Sequence, residues 1–301
     1  MMKKAEIWGL YCKQISRSKA FKTLVPLVLL GAGAILAQRL SMYSLAATSL
    51  RKHSWELVGI LSLEAGYLAV KSFAWKLSYN SAGIPLSWFA SLRLFLISCF
   101  IDTISFPTVV AGDGFKLVYL RSYGATRVLQ AIVELRAGAL LGYCVVAGLL
   151  LSWGLQSIAL LLVATLALPP LILKILSRQR QVISWTTYFR VLRQALLNSL
   201  ALAVDGGRFL ILGSVVGLTP SLYALGSYIV SQLGGLITGI PLGLGAREAV
   251  LTALLQQSLP LAQIAFILLA LRLTGEGIAA TAGWLLAGKE VMEWRKENPR
   301  N

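Results

Sequence analysis

The sequence has few of the residues that build metal sites, disulfides and hydrolytic centres. Its 301 residues include one histidine, His53, and three cysteines, Cys12, Cys99 and Cys144. The cysteines form no CxxC pair and have no neighbouring histidine, so neither a disulfide framework nor a metal site is predicted. The chain also has no Ser-His-Asp set and no nucleotide-binding loop. We therefore expect no catalytic residue, no cofactor and no enzyme, with Asp113 as a general base the alternative left open.

Charged residues are also scarce, at 13% of the chain, whereas 57% of the residues are hydrophobic. A soluble globular protein needs more polar surface than this. Apolar runs approach or reach the ~20 residues with which a helix crosses ~30 Å of hydrocarbon. The alternation of barrel strands is missing. The composition therefore predicts an all-α polytopic membrane protein.

Acidic residues are fewer than basic residues, with 12 Asp and Glu against 28 Lys and Arg. Most of the excess flanks the apolar runs, as the positive-inside rule predicts for cytoplasmic loops. No basic helix or aromatic platform outside these runs suits nucleic acid, so nucleic-acid binding is not expected. The basic segment 1–23 is too long before its first apolar run for a cleaved signal and reads as a retained cytoplasmic amphipathic segment. The tail 288–301 also reads as cytoplasmic.

Threading the chain with these charges predicts about six full transmembrane helices. They fall in one integral membrane domain, 1–301, at about 24–40, 55–75, 128–152, 157–175, 191–217 and 262–287. With segment 1–23 and the basic loop after 175 both inside, the segment 83–127 must start and end on the cytoplasmic side. By the same count 218–261 must start and end outside. Each segment is therefore predicted to be a re-entrant helical hairpin, at about 86–123 and 222–259.

Each predicted hairpin is broken by glycine and proline, which free backbone groups that cannot face lipid. The tips are assigned to Pro107, Gly112, Gly114, Pro241, Gly243 and Gly245. Both are followed by a short apolar helix, a turn and a span with an arginine, at spacings of 20 residues from Lys116 to Arg136 and 25 from Arg247 to Arg272. The matching order predicts an inverted repeat, with repeats at 24–152 and 157–287, an architecture common in secondary transporters.

Ionisable groups at membrane depth are costly and call for partners or a wet cavity. Local spacing predicts three pairs on single helices, namely Asp113 with Lys116, Asp205 with Arg208 and Arg272 with Glu276. Glu64 and Asp102 stand alone on apolar spans, and a structural role is an open alternative for them.

Lys116 and Arg247 follow glycine-rich turns at helix starts, where free N–H groups already favour an anion. We expect these two cations, together with Arg136 and Arg272, to converge on one polar cavity. The predicted substrate-binding set is Lys116, Arg136, Arg247, Arg272, Asp113, Glu134 and Glu248. An anionic lipid headgroup is the natural occupant of a cavity open to the bilayer, and a small soluble anion is the alternative.

Two stretches carry a family resemblance, FPTVVAGDGFKLVYLRSYGATRVLQAIVELRAGALLG and IPLGLGAREAVLTALLQQSLPLAQIAFILLALRL. They resemble the two signature blocks of the lysylphosphatidylglycerol synthase transmembrane, or flippase-like, membrane protein family. Glu134 and Arg136 stand as E-L-R where the family has an adjacent E-R pair. The second block has Leu242-Gly243-Leu244-Gly245 in place of the usual double glycine.

The resemblance implies a lipid translocase without the aminoacyl-transferase domain, related to members linked to hopanoid, polyprenyl-phosphate or glycolipid pathways. The expected location is the bacterial inner membrane with both termini cytoplasmic. A non-transporting accessory that presents lipid to a glycosyltransferase or lipid synthase is the rival interpretation, and a homo-oligomer is left open.

Overall fold

A computed structural model describes residues 54–104, 111–152, 185–237 and 245–297. Several predictions lie outside these ranges. They are the spans at 24–40 and 157–175, the segment 1–23, and the tip residues Pro107, Pro241 and Gly243.

All the regular elements in the described ranges are helical. In chain order they are α1 (Ser54–Ser81), α2 (Trp88–Ile104), α3 (Ala111–Tyr119), a 3₁₀ turn (Arg121–Tyr123), α4 (Ala125–Ser152), α5 (Trp185–Val215), α6 (Leu222–Ile237), α7 (Ala246–Leu255), α8 (Leu261–Arg272), a π turn (Leu273–Gly277) and α9 (Ile278–Glu297).

Four of the described helices are long and apolar enough to cross a membrane, at Ser54–Ser81, Ala125–Gly148, Trp185–Val215 and Leu261–Gly288. They coincide with four of the six predicted spans, which confirms an all-helical membrane protein in these ranges. Two helices extend beyond the predicted spans: α1 continues past 75 to Ser81, and α5 begins before 191, at Trp185. A helix satisfies its own backbone hydrogen bonds, so it can continue through polar residues beyond the hydrocarbon.

Helices α1 and α5 end in the same type of glycine turn. After α1, the N–H of Ile84 donates to the carbonyl of Tyr79 at 2.9 Å around Gly83, which has φ 78°. After α5, the N–H of Leu218 donates to the carbonyl of Gly213 at 2.9 Å around Gly217. Glycine adopts this left-handed conformation without the steric cost that a Cβ brings.

Helices α3 and α7 are too short to cross a bilayer. The nine residues of α3 and the ten of α7 reach about 14 and 15 Å. Gly112 and Gly114, predicted at a tip, lie inside the first turns of α3. The short helix after the second tip lies at Ala246–Leu255, and the last helix continues through Glu297.

The packing of the helices in the first half is repeated in the second. Helix α1 packs on α2, α2 on α3 and α3 on α4, just as α5 packs on α6, α6 on α7 and α7 on α8. Helix α2 also packs on α9, and α6 packs on α4 in the same way. Helices α1 and α5 also pack on each other. Each half therefore contributes the same set of neighbours around the pair α1–α5.

The candidate span Leu261–Gly288 contains an irregular turn. Between α8 and α9 the chain forms a π turn with the sequence LTGEG. A Cβ added at Gly275 in this turn would lie 2.8 Å from Nη2 of Arg208 on α5. Because Gly275 has no side chain, the Arg208 guanidinium can lie against the backbone beside Glu276. Such turns occur frequently at functional sites.

Candidate functional site

Asp113, Lys116 and Arg136 form one group, here called the first charge cluster. Asp113 Oδ1 lies 2.5 Å from Nζ of Lys116, and Asp113 Oδ2 accepts from Nη2 of Arg136 at 3.0 Å. Lys116 is buried, and its Nζ stands 4.1 Å from the ring centre of Trp75, a cation–π contact. The Arg136 side chain is 50% exposed. Two cations thus share one carboxylate in direct contact, and one of them is accessible.

Arg247, Glu248, Arg272 and Glu276 form the second charge cluster. Arg247 Nη1 donates to Glu276 Oε1 at 2.9 Å and to Oε1 of Gln232 at 3.2 Å. Arg272 donates through Nη2 to Glu248 Oε1 at 2.6 Å and through Nη1 to Glu276 Oε1 at 3.2 Å. This cluster contains two cations and two carboxylates, so its charges balance.

Each cluster contains an ion pair in an equivalent position. Asp113 on α3 pairs with Arg136 on α4, and Glu248 on α7 pairs with Arg272 on α8. In both halves a carboxylate on the short helix therefore binds an arginine on the helix that follows. The residue numbers differ by 23 in the first half and by 24 in the second, which is a closer match than the spacings between the cations.

The sequence predicts that Lys116 and Arg247 occupy equivalent positions. The contacts of these two residues differ. Lys116 pairs within its own helix with Asp113, whereas Arg247 reaches across to the π turn. Each cation is held by carboxylates of its own half. Their convergence on one shared cavity stays a prediction.

The starts of the two short helices are already occupied by carboxylates. The N–H of Gly112 donates to Asp102 Oδ1 at 2.8 Å, and the N–H of Gly245 donates to Glu248 Oε2 at 2.7 Å. Asp102 is therefore engaged, although the sequence placed it alone on its span. At each of these helix starts one backbone N–H group is therefore satisfied by a carboxylate of the chain itself.

Glu134, predicted to bind substrate beside Arg136, faces another direction. Side chains two positions apart on a helix point to roughly opposite sides of it. The buried Glu134 accepts from Gln130 at 3.1 Å, lies 3.5 Å from Nη1 of Arg190 on α5, and lies 3.5 Å from Oγ of Ser78 on α1. It joins α4 to α5 and α1 and does not belong to the first charge cluster.

A third group lies between α1 and α5 and is here called the central cluster. Arg208 donates through Nη1 to Glu64 Oε2 and through Nη2 to Asp205 Oδ1. Tyr228 Oη on α6 donates to Asp205 Oδ2. The pair of Asp205 with Arg208 was predicted correctly, but Glu64 is not alone as the sequence suggested. Spacing along the chain reveals pairs within a helix, and no such signal reports a partner on another helix.

Comparisons with protein-family models, with curated proteins and with solved structures find no match for this chain. The family resemblance of the two glycine-broken blocks accordingly stays an expectation.

Proposed function

We propose that this chain moves an anionic lipid between the leaflets of a bilayer, with the headgroup bound first at Arg136. The membrane is proposed to be the bacterial inner membrane, with both termini cytoplasmic. Four apolar helices of membrane length support an integral membrane protein. Charged side chains on membrane helices are costly and mark substrate or ion pathways.

The proposed frame is six spans with two re-entrant hairpins, α2–α3 and α6–α7, in an inverted repeat. The short reach of α3 and α7 supports this, since about 15 Å covers half the hydrocarbon thickness. The repeated packing of the two halves around α1 and α5 supports it as well. Broken helices near the midplane are where secondary transporters bind their substrates.

The observation that carries the proposal is the charge and exposure of the first charge cluster. Asp113 pairs with both Lys116 and Arg136, so the groups in direct contact are two cations and one carboxylate. The Asp102 carboxylate is directed at the backbone of Gly112 instead. The Arg136 side chain is half exposed, and its guanidinium, which donates to Asp113 through Nε and Nη2, can bind the paired oxygens of a phosphate in exchange.

The balanced second charge cluster has a different role in this proposal. Arg247 and Arg272 are both held by carboxylates and are largely buried. There too, a carboxylate on the short helix pairs with an arginine on the next helix. A headgroup that reaches this half would therefore compete with Glu248 for Arg272. A phosphate bound there would displace Glu248 from Arg272 and leave this carboxylate beside Arg247, whose Nε lies 3.9 Å from Glu248 Oε1.

The test uses the purified chain in vesicles with a fluorescently labelled phosphatidylglycerol and, separately, the same label on phosphatidylcholine. Quenching of outer-leaflet label then reports exchange between leaflets. We expect faster exchange of the anionic lipid than in vesicles without protein, and a smaller effect on the zwitterionic lipid. Equal acceleration of both lipids would contradict recognition by charge.

The rival function is an accessory that presents lipid to a glycosyltransferase or lipid synthase. It predicts binding of the anionic lipid without exchange in vesicles of the purified chain. Binding that is lost in Arg136→Gln, with no exchange by either protein, would favour the accessory over the transporter.

A further inference from the structure

The central cluster places one arginine between two carboxylates inside two candidate membrane spans. Glu64 is 3% exposed, Asp205 8% and Arg208 5%. Glu64 lies in α1, and the other two lie in α5. Each charge at such depth costs at least ~2.5–3.5 kcal/mol on insertion scales unless it is matched. One guanidinium matches one carboxylate, so a second positive charge is required.

The hydrogen bonds show which carboxylate has a position open. Asp205 accepts through both oxygens, from Arg208 and from Tyr228. Glu64 accepts from Arg208 through Oε2 only. Its Oε1 is fully buried and has no hydrogen-bond partner among the described residues. An ionised carboxylate with a buried oxygen that accepts no hydrogen bond is one of the more costly arrangements in an apolar interior.

The charged groups around this cluster do not supply the missing cation by contact. Arg247 and Glu276 pair with each other at 2.9 Å. Lys71 is the remaining cation, and its Nζ donates to Asn198 Oδ1 at 2.6 Å. The other titratable groups that act on these residues come from α1, α2, α4 and α6 and are neutral thiol or phenol side chains: Tyr67, Cys99, Tyr143 and Tyr228.

We propose that Glu64 is a proton-binding site, with the proton on Oε1. A proton taken from water neutralises Glu64 while Oε2 continues to accept from Arg208, and Arg208 then belongs to Asp205 alone. Loss of this proton makes Glu64 and Asp205 compete for one guanidinium, which lies against the π turn beside Glu276. The site does not depend on the lipid proposal, and in a lipid transporter it would supply the coupling ion.

Infrared difference spectroscopy of the full chain in vesicles tests this directly. The measured signal is the carbonyl stretch of a protonated carboxylic acid, recorded as the pH is raised. We expect a band near neutral pH that disappears at higher pH and is missing from Glu64→Gln, whose amide still accepts from Arg208. Glu56→Gln is the matched control on the same helix and should keep the band. A band that persists in Glu64→Gln, or no band in the unaltered protein, would overturn the proposal.

A second variant covers the case in which Glu64→Gln does not fold. Lys71 lies about two helical turns from Glu64, or roughly 10 Å. The Lys71→Gln variant loses this positive charge, so Glu64 should hold its proton more tightly. The midpoint of the band should move upward by about one pH unit. An unchanged midpoint would place the protonated group away from Lys71 and contradict the assignment. The result is independent of lipid exchange, so failure of one proposal does not decide the other.

Discussion

Replacing Arg136 by glutamine separates the role of this residue in stability from its role in lipid binding. Arg136 lies on α4 with its Nη2 3.0 Å from Asp113 Oδ2, and its side chain is 50% exposed. Exposed ion pairs contribute about 0.2–1 kcal/mol. Asp113 keeps Lys116 at 2.5 Å in the variant. We therefore expect the free energy of unfolding to fall by less than about 1 kcal/mol.

The effect on lipid exchange should be larger than the effect on stability. Hydrogen bonds to charged groups contribute about 1.5–3 kcal/mol. At about 1.4 kcal/mol per factor of ten, loss of the Arg136 contact should slow the exchange of labelled phosphatidylglycerol by roughly tenfold to a hundredfold. The assay is leaflet exchange in vesicles, with the amount of inserted protein measured in the same samples.

Arg127→Gln is the matched control for Arg136→Gln. Arg127 lies on the same helix and is exposed, outside the first charge cluster. Both variants lose one positive charge from α4, so a general effect of surface charge would slow both equally. Equal exchange rates in Arg136→Gln and Arg127→Gln would refute the binding role of Arg136.

Two further predictions concern stability, read as the temperature at which the detergent-solubilised protein unfolds. Arg208→Gln should destabilise by about 3–5 kcal/mol, because it leaves the buried Asp205 carboxylate without a cation, and Glu64→Gln should cost clearly less. Equal losses in these two variants would contradict the shared arginine. Gly283→Ala should cost about 1–3 kcal/mol, since its Cβ would lie 2.9 Å from Cβ of Phe100 and closer still to the backbone of α2. Gly288→Ala, where nothing lies within 4 Å of the added carbon, should be neutral, and similar losses at both glycines would argue against this packing.

The membrane helices could be predicted from the sequence because length and apolarity are local properties. The spans expected at 55–75, 128–152, 191–217 and 262–287 coincide with the four candidate spans of the structure. Pairs within one helix were equally accessible, since residues three or four apart share a face. Asp113 with Lys116 and Arg272 with Glu276 are both confirmed.

The start of a helix was harder to predict from the sequence. Lys116 and Arg247 were expected to add to free N–H groups at helix starts and so to attract an external anion. In the structure, one N–H group at each start donates to a carboxylate of the chain, that of Asp102 or that of Glu248. Asp102 comes from the preceding helix, so its role depends on how α2 packs on α3.

By itself, the sequence determined that the chain is a helical membrane protein with charged residues on broken helices, because hydrophobicity and glycine content act within one segment. Only the tertiary structure decided which charges meet. Glu64 and Arg208 lie on α1 and α5, far apart in the chain, and they pair because these two helices pack on each other. A buried charge accepts whichever opposite charge the packing places within hydrogen-bonding distance, and that distance is a property of the assembled helices.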